Sequence, residues 1–177
     1  MYNVHYDKEG REVHKQMATT INSTLNTRGE TAISGGPCFA TLGTRQIELY
    51  SVYCGCGFTL DPGDCNAAVA DLSNQLINGP NGGCVSIPRD YSYYSIRGSV
   101  VAFVCNLSGV PFDICGMGYG NSLKDVTAHC GEYIAGTEEV SVYQVGIEVG
   151  ASYNGYMRYS NGLDFCANAA TSPAGSC

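Results

Sequence analysis

The sequence predicts a disulfide-rich α+β fold: two helices on one face of a mainly antiparallel sheet, built as a sandwich from two βαββ-like units. Three observations predict it. Ten cysteines stand in a chain of 177 residues with 23 glycines and no tryptophan, an even count of the kind that cross-links small domains in oxidising compartments. Two stretches carry helical periodicity, and each is followed by short β-branched and aromatic runs. Finally, Cys115-Gly116-Met117-Gly118-Tyr119 repeats the form of Cys54-Gly55-Cys56-Gly57-Phe58, with Asp125 falling on Asp64 and Cys166 on Cys105. This reads as an internal duplication near residues 47–105 and 112–166. Hydrophobic residues make up 44% of the chain, enough for one domain with a core.

Residues 1–37 contain no cysteine and alternate polar and charged side chains up to the Gly29–Pro37 stretch, a composition that cannot bury enough surface to order itself alone. Leu25-Asn26-Thr27-Arg28 resembles the Leu-x-x-Arg sites cut during the maturation of many fungal secreted proteins. Residues 1–28 therefore read as a propeptide released after Arg28, and 29–37 as a flexible linker; a plain flexible arm is the alternative. Met1-Tyr2-Asn3-Val4-His5 lacks the apolar core of a signal peptide, so a secretion signal is expected to have been removed ahead of it. No run of about 18 apolar residues offers a membrane-spanning helix.

The cysteine-rich domain, residues 38–177, begins with runs at 39–42 and 46–53 whose β-branched and aromatic residues suit half-buried strands. The second run feeds the turn Cys54-Gly55-Cys56-Gly57. Cysteines one apart on a strand point to opposite faces, so Cys54 and Cys56 imply bridges to two different places. The first helix follows: Asp61 is its cap, Pro62 its first residue, and Cys65, Ala68, Val69, Leu72 and Leu76 its buried stripe, with Asn78-Gly79-Pro80 as the stop. The second helix is expected from Asn121 or Ser122, with Ser122-x-x-Asp125 as a weak capping box. Its stripe is Leu123, Val126, Cys130 and Tyr133 or Ile134, and Gly136 ends it. One cysteine on each inner face, Cys65 and Cys130, predicts that each helix is stapled to the sheet.

After each helix the chain returns as strands. Cys84–Ile87 precedes a polar Tyr91–Tyr94 stretch, and Ser99–Cys105 is apolar enough for a central strand. Val140–Val149 alternates with period two, then Tyr156–Tyr159 leads to a turn at Ser160-Asn161-Gly162. All ten cysteines, Cys38, Cys54, Cys56, Cys65, Cys84, Cys105, Cys115, Cys130, Cys166 and Cys177, are expected in disulfides. About 945 pairings are possible, so the sequence leaves the connectivity open.

Charge and motif content narrow the function. Of 9 basic and 16 acidic residues, four basic and three acidic precede residue 29. The remainder carries five against thirteen, a surface that repels phosphate backbones and anionic lipid, so nucleic acid is not an expected partner. Cys54-x-Cys56 is too tight for a zinc pair and the histidines are scattered at His5, His14 and His129, so no metal or other cofactor is expected. The chain has no Gly-Lys-Ser/Thr phosphate loop, Gly-x-Ser-x-Gly elbow or His-Glu-x-x-His. His129 and Cys130 are neighbours, but on a helix they point about 100° apart, which favours Cys130 in a bridge over Cys130 as a nucleophile. Glu138-Glu139 reads as a solvated loop. No catalytic residue is assigned, and the chain is expected not to be an enzyme.

Gly63-Asp64-Cys65, Leu72-Ser73-Asn74-Gln75-Leu76, Gly83-Cys84-Val85 and Arg97-Gly98-Ser99-Val100-Val101 through Cys105 resemble the helix, Gly-Cys strand and closing Arg-Gly strand of the virally encoded killer toxins of smut fungi and related cysteine-rich fungal effectors. The likeness covers roughly residues 52–106. It implies a small secreted α/β sandwich that acts in virulence or as an antimicrobial toxin without catalysis, in the killer toxin by interfering with calcium channels. The lysine tied to that activity, two residues before the Cys-Gly-x-Gly turn, is replaced here by Val52, which offers no cation; channel blocking is therefore not expected to transfer. The expected partner is a host or competitor protein, a receptor or other membrane protein among the options, met by a monomer. Its contact face is expected at Tyr91, Tyr93, Tyr94, Tyr153, Tyr156 and Tyr159, amphipathic rings suited to recognition, with a structural role as the alternative. Asn22 and Asn106 head N-glycosylation sequons. The competing class is a secreted hydrolase or carbohydrate-binding protein, which a pocket holding a perturbed acid–base pair would favour.

Overall fold

Val100–Asn106 is buried at every position because both faces of this strand are covered. Val100, Ala102 and Val104 join one apolar cluster with Leu72, Leu76 and Val126, while Val101, Phe103 and Cys105 join a second with Phe165. An unbroken apolar run is what a doubly covered central strand needs. The computed structural model describes residues 2–6, 12–16, 50–144, 147–172 and 174–177. Its elements are β1 (Tyr2–Tyr6), β2 (Glu12–Gln16), β3 (Tyr50–Thr59), α1 (Pro62–Ile77), β4 (Cys84–Ile87), β5 (Tyr91–Arg97), β6 (Val100–Asn106), β7 (Phe112–Cys115), α2 (Gly116–Cys130), β8 (Ile134–Gln144), β9 (Ile147–Arg158) and α3 (Phe165–Asn168). The main sheet runs β2-β1-β5-β6-β9-β8-β3, and β4 pairs with β7 in a two-stranded ladder. All described pairings are antiparallel, so the fold is α+β and disulfide-rich.

The two helix-plus-strands units are present as β3-α1-β4-β5-β6 and β7-α2-β8-β9. Each lends its first strand to the other, β3 to β8 and β7 to β4. The residue-by-residue repeat does not hold: Asp64 lies in the first turn of α1, whereas Asp125 lies in the second half of α2. Cys105 ends β6, while Cys166 sits in α3, a short helix beyond the two expected, which packs Phe165 onto the opposite face of the sheet.

Helix α1 follows its local signals. The Asp61 carboxylate accepts from the Asp64 N–H (2.9 Å), Pro62 opens the helix and Cys65, Ala68, Leu72 and Leu76 are buried. Helix α2 departs from them, because it starts at Gly116, well before Ser122, and ends at Gly131 rather than Gly136. Tertiary packing decides this. A Cβ on Gly116 would stand 2.3 Å from Ile77 Cγ1, so glycine there lets the start of α2 close on the end of α1. Tyr119 then buries completely, with its hydroxyl donating to the Gly155 carbonyl (3.3 Å). Gly136 lies in β8, where a Cβ would meet Val126 Cγ1 at 2.6 Å; its absence lets α2 sit close to the sheet.

The N-terminal residues Tyr2–Tyr6 and Glu12–Gln16 form a hairpin on the β5 edge, with Tyr2 opposite Tyr94 and Val4 opposite Ser92. The hairpin takes its pairing from an existing sheet edge. The expected linker 29–37, the strand at 39–42, Asn22, Arg28 and Cys38 lie outside the described residues.

Candidate functional site

Four disulfides tie the layers together. Cys54–Cys130 joins β3 to the end of α2, Cys56–Cys177 joins β3 to the C-terminal end, Cys84–Cys115 links β4 to β7, and Cys105–Cys166 links β6 to α3. Cys54 and Cys56 thus lead to two different places, and Cys130 is a staple. Cys65 is not: it is buried and unbonded among the described residues. It faces the α1 core, where burial pushes its thiol up to about 11 and keeps the nucleophilic thiolate scarce. The staple near α1 is instead Cys84–Cys115, beyond its C-terminus.

Asn106 cannot carry a glycan in this fold. It is fully buried; its Nδ2 donates to the carbonyls of Ile87 (2.9 Å), Pro88 (3.1 Å) and Val110 (2.9 Å), and its Oδ1 accepts from the Ser108 N–H (3.0 Å) and hydroxyl (2.6 Å). The sequon is a loop clamp.

The tyrosines do not form one face. Tyr91, Tyr93 and Tyr156 pack on the helix side, Tyr94, Tyr153 and Tyr159 on the side of α3. Tyr93, Tyr94 and Tyr156 are buried, with the Tyr94 and Phe165 rings 5.2 Å apart and the Tyr156 hydroxyl 3.0 Å from that of Thr127. Adjacent strand residues such as Tyr93 and Tyr94 point to opposite faces, a signal already present in the sequence.

Among the described residues, two concavities stand out. On the α3 side an apolar groove of about 680 Å³ is lined by Tyr53, Phe58, Met157, Leu163, Ala169 and Ala174 among others. It runs beside the Cys54 and Cys56 bridges, and Phe58 is 60% exposed at its rim. Tyr53 donates its hydroxyl to the Glu139 carboxylate, a bond that, with burial and the charge of Glu139, raises the phenol to about 12.

Under α2 lies a second cavity, of about 410 Å³, lined by Val52, Asp125, His129, Glu138 and Gly175. Glu138 is not in a solvated loop. It is 1% exposed in β8, opposite Val52 of β3 and Asn154 of β9. The alternation of Val140 and Val142, carried back two residues, puts position 138 on the inner face; the acidic pair concealed that signal. Burial pushes the Glu138 carboxyl up from its ordinary value; hydrogen bonding to Ser122 opposes this, the charge and hydrogen bonding of Asp125 reinforce it, and the charge of His129 opposes it. His129 is exposed and its Nδ1 donates to the Asp125 carbonyl (2.7 Å). Among the described residues, no three His, Cys, Asp or Glu side chains are placed to hold a metal ion, and no helix is long and apolar enough to cross a membrane.

A proton held more tightly in the folded state means that Glu138 contributes its full stability below the unfolded carboxyl value near 4.5 and loses it as pH rises through the higher folded value. Glu138→Gln should therefore be more stable than the parent at pH 7 than at pH 4, by on the order of 1 kcal/mol, the scale of one poorly solvated buried group. Chemical unfolding at the two pH values checks this, and an equal difference at both would refute it. No family model, curated protein or solved structure matches the chain.

Proposed function

We propose that this is a secreted, non-catalytic binding protein of the effector or killer-toxin-like kind, which acts by engaging a protein of a host or competitor. The observation that carries the reading is the bridge map: strands, helices and C-terminal end are cross-linked at Cα separations of 3.9 to 5.8 Å. Such cross-linking belongs to oxidising compartments, and it holds a surface rigid, which lowers the ordering cost of binding. The resemblance over residues 52–106 supports the same reading, and the hairpin on β5 would leave with a propeptide cleaved after Arg28. The groove beside two of the bridges is the proposed contact face, in place of the dispersed tyrosines, with Phe58 as its anchor.

Phe58→Asp tests this. The side chain is mostly exposed, so the melt should move by no more than about 0.5 kcal/mol, while action on a responsive host or competitor should fall about tenfold or more. Unchanged action at unchanged stability would reject the groove as the contact face. A secreted hydrolase is the second reading, favoured by the Glu138, Asp125 and His129 cavity; turnover of a peptide or glycan that Asp125→Asn abolishes would establish it instead.

A further inference from the structure

The cavity under α2 is short of hydrogen-bond donors. Glu138 Oε1 is buried with no partner among the described residues, and so is Oδ1 of its cross-strand neighbour Asn154, whose Nδ2 is spent on the Ser122 hydroxyl (2.9 Å). Buried acceptors are almost always matched by donors, so two orphans side by side, one of them a carboxyl lining a cavity, mark a place where a donor is to be supplied. No lysine or arginine among the described residues lines the cavity to supply it. Among the described residues, the ion pairs are Arg89 with Asp90 and Arg97 with Asp71, both elsewhere. Asp125 at the rim adds a second carboxyl, and His129 carries the other titratable group of the lining; Val52 from β3 and Gly175 from the C-terminal segment complete it.

We infer that this cavity receives a cationic N–H group, the ammonium or guanidinium of a basic side chain on the target protein. The inference rests on the binding reading and names its recognition chemistry. A cation with several N–H donors satisfies both carboxyls at once, and the acidic surface of the domain steers it in. A divalent metal fits less well, since among the described residues no three ligands are placed to hold one. When the cation enters, its N–H groups donate to Glu138 Oε1 and to the Asp125 carboxylate at the rim.

The test uses the full chain and two probes, the methylamides of Nα-acetyl-lysine and Nα-acetyl-arginine, titrated calorimetrically. Saturable binding is expected, and the Nε-acetylated lysine probe should not bind. The preferred probe tells ammonium from guanidinium. Asp125→Asn, at an exposed position, should weaken binding about tenfold. Val52→Lys, directly across from Glu138, should block the site by filling it from within. Glu138→Gln should weaken binding about tenfold or more, because an amide offers the cation no charge to pair with. No saturable binding of either probe, or binding indifferent to positions 52 and 125, overturns the inference. Action on a target by a chain that binds neither probe would sink this inference alone. Failure of Phe58→Asp to affect that action would count only against the groove.

Discussion

Replacing Cys54 and Cys130 together by alanine is expected to lower the unfolding free energy by about 4 kcal/mol. The bridge spans 76 residues, and loop closure on that scale accounts for about 4 kcal/mol through the unfolded chain alone. Both cysteines are buried in the helix-side core, so the loss includes packing between β3 and the end of α2. The contrast is Cys56 with Cys177. Its sequence separation is larger, 121 residues, but both residues are exposed, so little buried packing is lost with the bridge. Its removal should cost clearly less. Guanidinium unfolding of the two double variants decides the matter, and a Cys54/Cys130 variant within about 1 kcal/mol of the parent would show that the bridge does not hold α2 down.

Asn106→Ala should cost about 3 to 4 kcal/mol, the second large effect. The side chain joins the carbonyls before β5 to those after β6 through three donated bonds, and alanine leaves buried carbonyls and the Ser108 N–H without partners, at about 1 to 3 kcal/mol each before relaxation. Asn106→Asp is the informative companion. It keeps the acceptor for Ser108 but sets carboxyl oxygens against three carbonyls, so its deficit should shrink on acidification as the carboxyl takes up a proton. A mild, pH-independent loss in both variants would contradict the clamp. The same geometry requires that secreted, folded material carry no glycan at Asn106, which intact-mass measurement reads directly.

Much of this fold was legible because its signals are short-range. The cap at Asp61, the stripe from Cys65 to Leu76 and the apolar strand before Cys105 each depend on residues a few positions apart, and each stands where those residues place it. The second helix was misjudged at its start, since Gly116 and Gly118 argue against helix locally while contact with Ile77 and burial of Tyr119 favour it. The candidate site was largely illegible. Glu138 looked like half of a solvated acidic pair, and the tyrosines looked like one surface because nothing local says which elements will cover them.

By itself the sequence determined the disulfide-rich α+β class, the two main helices and the inward face of α1, all properties of periodicity and of cysteine count. Only the tertiary structure decided which cysteines meet, that Asn106 is a clamp, that the tyrosines divide between two faces, and that a carboxyl with one oxygen unpartnered among the described residues lies beneath α2. The division follows from range: helix caps and side-chain alternation are set by near neighbours, whereas sulfur pairing and burial depend on which strands end up adjacent, and that adjacency is chosen by the burial of the whole chain at once.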